Sequence, residues 1–403
     1  MHRARHQAQS PQDPARTGRR SVGSVTPDLR AGGTLAGPMR SRRAALVAVA
    51  LALMATVALA LRFGPTLSFS LALAAPATEP WLSPLWEPAL REDITLPGQF
   101  AGLRADLYRP ARARGALLLV HGLSRAGRRQ PDLARLAHLL AGQGMLVLVP
   151  QFEGLAAFRL SGHEIDEVRS ALAYTISLGA TASIAGFSFG AGPALLAAAD
   201  FPGLRVVGSF GGYADLSHVI AYVTTGTHHF EGRRYVQVQE EYNRWKLLAL
   251  VGGFVQDTGG RRQLEELARR KLANPSDDTR EVEAALGPEG HAVLALVLNR
   301  REDAVAGLLA QLPPGARETL DRLSPLPAVA RIRARLLIAH GTADDSIPFT
   351  ESLELARAGG PQAHLGLFRT FHHTGPHPLW PAITERTRDG WTLVRLADTL
   401  LPR

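Results

Sequence analysis

Between residues 115 and 371 the sequence repeats one device: a short, almost wholly apolar run followed by a longer amphipathic stretch. The runs are "GALLLVHG" (115–122), "MLVLVP" (145–150), "ATASIAGFSFG" (180–190), "LRVVGSFGG" (204–212), "ARLLIAHG" (334–341) and "HLGLFRTF" (364–371). Runs this short and this apolar fit strands covered on both faces, and the stretches between them carry helical spacing, as with Leu133, Leu136 and Leu140, or Ile165, Val168, Leu172 and Ile176. Such alternation predicts a mostly parallel central sheet with helices on both faces. The segment 94–110 reads as an early strand pair, and a closing helix is expected near 379–401.

The insert of about 120 residues between "LRVVGSFGG" and "ARLLIAHG" is far longer than such a connection needs. Helical spacing over 261–273, 279–298 and 302–312 makes it a helical cap, and the aromatic residues at its start (Tyr213, Tyr222, Phe230, Tyr235, Tyr242, Trp245) are expected either to pack within the cap or to line an apolar pocket. The organisation that follows has five parts. They are a disordered basic tail over 1–43, a transmembrane signal-anchor over 44–62, a first catalytic segment over 86–215, the cap over 216–330 and a second catalytic segment over 331–403.

The anchor rests on "AALVAVALALMATVALAL" (44–61), which is uncharged and, as a helix, about 27 Å long, close to the hydrocarbon thickness of a bilayer. Arg40, Arg42 and Arg43 precede it, which places the amino terminus inside and the bulk of the chain on the extracytoplasmic side. Secretion after cleavage near Ala72-Leu73-Ala74 is the alternative. Residues 1–38 are polar, Pro/Gly-rich and unpatterned, either a disordered tail or an over-extended gene start ahead of Met39. Lys246 and Lys271 are the only lysines, a usage that fits a GC-rich bacterial source and hence the inner membrane.

Charge and composition exclude several classes. Of the net charge of +9, residues 1–62 carry +8, with ten Arg against Asp13 and Asp28. The folded part is therefore nearly neutral and offers no basic surface for nucleic acid. With no Cys, thiolate nucleophiles, disulfides and Cys-ligated zinc are impossible. His228, His229 and His377 lack carboxylates at ligand spacing, so no metal is expected. No organic cofactor is expected either, and nothing in the sequence speaks to oligomeric state.

Ser188 stands where an apolar strand becomes an Ala-rich helix, in Gly186-Phe187-Ser188-Phe189-Gly190. Residues without bulk on either side allow a sharp strand-to-helix turn that lifts the hydroxyl from the sheet edge toward a helix N-terminus. A serine needs a base, and the base needs a carboxylate to orient it. Asp344 lies just beyond "ARLLIAHG", with Asp345 beside it and Asp215 after the preceding strand as lesser candidates, and His372 and His373 follow the next strand. His121 and His340 are expected to hydrogen-bond within the fold.

With "HG" at 121–122, "GFSFGA" at 186–191, "HGTADDSIP" at 340–348 and "FHH" at 371–373, the chain resembles the α/β-hydrolase superfamily over about 94–403. The likeness is to the branches of dienelactone hydrolases, acyl esterases and prolyl-oligopeptidase-like enzymes. It implies Ser188 as nucleophile, Asp344 as orienting acid, His373 in preference to His372 as base, and an oxyanion hole from the backbone N–H groups of Phe189 and Leu123. The implied activity is hydrolysis of a small-molecule carboxylic ester through an acyl-enzyme. Oligopeptide cleavage, or a catalytically inactive binding protein of the same fold, are the alternatives.

Overall fold

A computed structural model describes residues 38–369 and 383–402 of the chain. It divides into two units, residues 1–57 and 58–403. In the first, the described part is the beginning of helix α1 (Pro38–Ala74), whose stretch Leu46–Ala74 is long and apolar enough to cross a membrane, judged by length and composition.

The second unit is built on an eight-stranded sheet. Its strands are β1 (Ala89–Thr95), β2 (Arg104–Pro110), β3 (Gly115–Val120), β4 (Met145–Pro150), β5 (Ala182–Phe187), β6 (Val206–Phe210), β9 (Arg335–Gly341) and β10 (Ala363–Phe368). A separate hairpin pairs β7 (Thr227–Phe230) with β8 (Arg233–Val236). Spatial order in the sheet is β1-β2-β4-β3-β5-β6-β9-β10. The β1–β2 and β2–β4 pairs are antiparallel and every other pair is parallel. This is the expected α/β-hydrolase architecture, and β3 and β4 are buried along their whole length, as their unbroken apolar sequences require.

Alternation along each strand feeds two cores. Leu117 and Leu119 of β3, with Val147 and Val149 of β4, pack under α2 (Pro131–Gly142). Leu118, Val120, Leu146 and Leu148 point the other way, against α3 (His163–Ser177), α4 (Ala191–Ala198) and the inserted helices. Those inserted helices are α5 (Leu216–Thr225), α6 (Glu241–Gly252), α7 (Thr258–Ala273), α8 (Pro288–Leu298), α9 (Val305–Ala310) and α10 (Pro314–Leu323). Leu248, Leu264, Val293 and Leu320 from the insert belong to the same continuous core as Ile184 and Ile338 of the sheet, so the insert is welded to the sheet rather than set apart from it. The helix expected over 279–298 is broken at Gly287-Pro288, where Pro288 opens α8. The fold closes with α11 (Phe349–Gly359) before β10 and α12 (Ile383–Leu400) after it.

The expected anchor ends at residue 62, yet α1 runs on without a break through Gly64 and Pro65 to Ala74. The reason is packing in the second unit. Arg62 makes a two-pronged ion pair to Asp398 of α12, at 2.6 and 2.9 Å, and Phe69 and Ala72 are buried against Leu396 and Ala397 in the α2–α12 face. Trp86 Nε1 donates to Ser68 Oγ at 3.3 Å, and Arg135 donates to the carbonyl of Ala72. Tertiary burial of this stretch outweighs the helix-breaking tendency of one proline.

Candidate active site

In the order of this sheet, the connection leaving β3 passes to the α2 face while that leaving β5 passes to the α4 face, which opens a crevice at the carboxyl ends of these two neighbouring strands. Ser188 sits on the β5 side of the crevice. β5 ends at Phe187, one 3₁₀ turn covers Ser188–Gly190, and α4 begins at Ala191. Ser188 has φ of +50°, a left-handed backbone that L-residues adopt at a cost and keep only where the surroundings force it.

The surroundings do force it. A Cβ on Gly186 would lie 2.5 Å from Cα of Ala191, and a Cβ on Gly190 would lie 2.2 Å from the carbonyl oxygen of His121. The first glycine lets α4 fold back onto the strand, and the second lets the elbow press against the end of β3. Their separation around Ser188 is thus dictated by two backbone approaches, both closer than any side chain permits.

The β3 side of the crevice is the loop from His121. Gly122 abuts the turn at Ser188, since a Cβ there would stand 2.9 Å from Cβ of Ser188. The imidazole of His121 is buried and bridges two backbones: Nε2 accepts the N–H of Phe152 at 3.1 Å, and Nδ1 donates to the carbonyl of Gly122 at 2.8 Å. Accepting an N–H requires the neutral ring, and burial pushes its pKa down accordingly. Further along, Arg128 donates to Asp106 at 2.7 Å and to Asp93 at 3.0 Å, pinning the same loop to β1 and β2. His121 thus hydrogen-bonds within the fold, as its place before a glycine at a strand end leads one to expect. The structure adds that what it holds is the loop carrying Leu123.

Leu123, Ser188 and Phe189 meet in one cleft of about 40 Å³, closed on the cap side by Val223 and Leu247 and edged by the polar groups of Asn243, Lys246 and Ser346. Asp344 is buried on the loop after β9. Its Oδ1 accepts the N–H groups of Ser346 and Ile347, both at 2.9 Å, and its Oδ2 stands 3.5 Å from Nε2 of His340. Tyr222 donates to the backbone carbonyl of Asp344 at 2.6 Å. A Cβ on Gly211, at the end of β6, would come within 3.7 Å of Asp344 Oδ2.

The other acid candidates have different surroundings. Asp345 is half-buried, its backbone carbonyl bonded by Asn243 Nδ2 at 3.0 Å. Asp215 caps α5, accepting the N–H of Ser217 at 2.7 Å. His372, His373 and His377 lie outside the described residues.

His340 is a core histidine, placed between Ser352 Oγ at 2.6 Å and the carbonyl of Ile347 at 3.0 Å. His228 and His229 are successive residues of β7 and face opposite ways. His228 Nδ1 meets Thr350 Oγ1 at 3.0 Å among Tyr222, Tyr235 and Phe349, and burial lowers its pKa to about 4, whereas His229 pairs with Glu302. Among the described residues no three His, Asp or Glu side chains converge as metal ligands would. None of the cap aromatics lines the cleft: Tyr213, Tyr222 and Trp245 are buried, Tyr213 donating to the carbonyl of Leu323, while Tyr242 is exposed.

No protein-family profile matches the chain, and no curated protein matches its sequence. Solved structures do resemble it. The esterase domain of a Rhodothermus marinus protein is 15% identical with a TM-score of 0.40, covering 77% of this chain and 96% of its own. A dienelactone hydrolase from Anabaena variabilis is 13% identical with a TM-score of 0.40, covering 77% and 95%. A puromycin-hydrolyzing peptidase from Mycobacterium tuberculosis is 16% identical with a TM-score of 0.42, covering 77% and 38%. The likeness is one of fold.

Proposed function

We propose that the chain is a membrane-anchored serine hydrolase that cleaves carboxylic esters through an acyl-enzyme. The observation that carries this reading is the backbone of Ser188. A serine held at φ of +50°, between β5 and α4 and against the end of β3, is a strained strand-to-helix turn of the kind that presents a nucleophile at a sheet edge.

In the proposed reaction His373 takes the proton of Ser188 as Oγ attacks the ester carbonyl carbon. Asp344 holds the imidazole in the required tautomer and offsets its positive charge. The carbonyl oxygen becomes an oxyanion within reach of the N–H groups of Leu123 and Phe189, each such donor contributing about 3 kcal/mol to the barrier reduction. Collapse of the intermediate expels the alcohol, which receives the proton from His373. Water, deprotonated by the same histidine, then attacks the acyl carbonyl and releases the acid with Ser188 restored. The anchor span 44–62 would hold this body at a bacterial inner membrane, on its extracytoplasmic side.

A fluorophosphonate probe tests the reading directly. The full chain in detergent is expected to label, with labelling lost in Ser188→Ala, Asp344→Asn and His373→Gln. A folded wild-type protein that neither labels nor turns over 4-nitrophenyl esters would overturn it. A parallel panel of peptide anilides separates esterase from oligopeptidase.

A further inference from the structure

Beside Ser188 the cleft has an apolar lining, Leu123, Phe189, Val223 and Leu247, and a polar side. That side is formed by Asn243 and Lys246 of α6, one helical turn apart, and by Ser346 of the acid loop. Lys246 is one of two lysines in the chain. Its ammonium donates to Ser346 Oγ at 3.3 Å and lies 5.1 Å from the ring centre of Tyr242. Three carboxylates surround it, Asp345, Asp344 and Glu240, but none makes an ion pair with it among the described residues. Burial depresses the pKa of Lys246 despite the opposing pull of all three, so the local acids do not compensate for its lost hydration. An ammonium with three N–H donors, one of them given to Ser346 among the described residues, thus lines the cleft beside Leu123, Phe189, Val223 and Leu247.

Resting on the hydrolase reading, we infer that the substrate is an ester carrying a carboxylate, which Lys246 engages while Asn243 supplies a neutral donor beside it. α6 is a rigid place for such a contact. Arg244 is buried and donates to the carbonyl of Asn299 at 2.9 Å, to that of Thr224 at 3.1 Å and to that of Val297, so the helix cannot roll without breaking all three. Lys246 is half-buried beside Val223 and Leu247, and partial burial strengthens a charge-assisted hydrogen bond there relative to one in open solvent.

The test uses two matched pairs of esters, mono-4-nitrophenyl glutarate against its methyl ester and 4-acetoxybenzoate against its methyl ester. Each pair exchanges a carboxylate for a neutral methyl ester, on the acyl side or on the alcohol side, and release of the phenol is read in both members. For the wild-type full chain, the acid member of at least one pair is expected to have a kcat/KM roughly 10- to 100-fold higher. Lys246→Met is expected to lower that ratio at least about tenfold, and Lys246→Arg to keep it within a few fold.

A second measurement needs no variant. The preference should fall away as pH rises through the lowered pKa of the lysine, since only the ammonium form carries the charge that the carboxylate meets. Equal turnover of acid and methyl ester in both pairs, or a ratio unchanged by Lys246→Met, overturns the inference while leaving the hydrolase reading intact. No turnover of any of the four esters together with no Ser188-dependent labelling overturns the hydrolase reading itself.

Discussion

Strain at the elbow makes a prediction that sets stability against activity. Ser188→Ala and Ser188→Gly both remove the hydroxyl and should be equally inactive, so any stability difference between them reports on the backbone. An L-residue in the left-handed region costs about 1–2 kcal/mol, and Ala pays this at φ of +50° while Gly does not. Against it stands the greater unfolded-state freedom of Gly, about 0.4–1 kcal/mol, and the loss of one methyl-sized contact with Gly122. The balance leaves Ser188→Gly more stable than Ser188→Ala by at most roughly 1.5 kcal/mol, a rise in Tm of up to about 3 °C for a body of this size. Paired thermal melts of the two variants in one detergent buffer measure it. A Ser188→Ala protein as stable as Ser188→Gly, or more so, would refute the claim that the packing of Gly186, Gly190 and Gly122 forces a strained serine.

Gly190→Ala drives a Cβ to 2.2 Å from a backbone carbonyl that cannot move aside. It should cost about 3 kcal/mol or more and abolish fluorophosphonate labelling, read together by melting and gel fluorescence. The half-exposed His218 pairs with buried Glu351 at 3.1 Å, a contact that raises the histidine pKa to about 9. A raised pKa stabilises the fold fully below about 6.5 and loses that contribution as pH climbs through about 9. His218→Gln should therefore destabilise by about 1 kcal/mol at pH 6, with the gap closing above pH 9 in urea titrations, the modest size reflecting solvent screening. Deleting residues 1–57 should release an active protein from membranes on fractionation. Deleting 1–74 also strips the buried Phe69 and the Arg62–Asp398 pair, and should lower stability by about 2–3 kcal/mol or more in the same melts.

Legibility in the sequence followed burial on both faces. β4 is a six-residue apolar run whose observed ends, Met145 and Pro150, are those of the run itself, and α2 carries Leu133 and Leu140 into the core at the spacing the sequence shows. Where tertiary contacts decide the structure, the pattern is silent. The hairpin β7–β8 is "THHF" and "RRYV", without polar alternation, and it exists because His228 and Tyr235 stack on each other and on Phe349 of α11. α6 mixes Glu241, Arg244 and Lys246 with leucines and has no clean apolar stripe, because Arg244 is itself buried on carbonyls. The cap aromatics pointed to a pocket only by type. Their hydroxyls and rings are spent on Leu323, Asp344 and His228 instead.

These same contacts tie the cap to the candidate acid. Asn243 Nδ2 bonds the carbonyl of Asp345, Ser346 Oγ meets both Asn243 Oδ1 and Lys246 Nζ, and Ser346 N–H holds Asp344 Oδ1. A group bound at Lys246 therefore pulls on the residue whose backbone sets the orientation of the Asp344 carboxylate, through one serine. Because the insert shares its core with the sheet, this linkage runs through packed elements and not across a hinge. The proposed recognition side and the candidate acid thus share one set of hydrogen bonds: a variant lacking the Lys246 ammonium loses more than a binding contact, since among the described residues Ser346 Oγ then keeps only its bonds to Asn243 and Asp345.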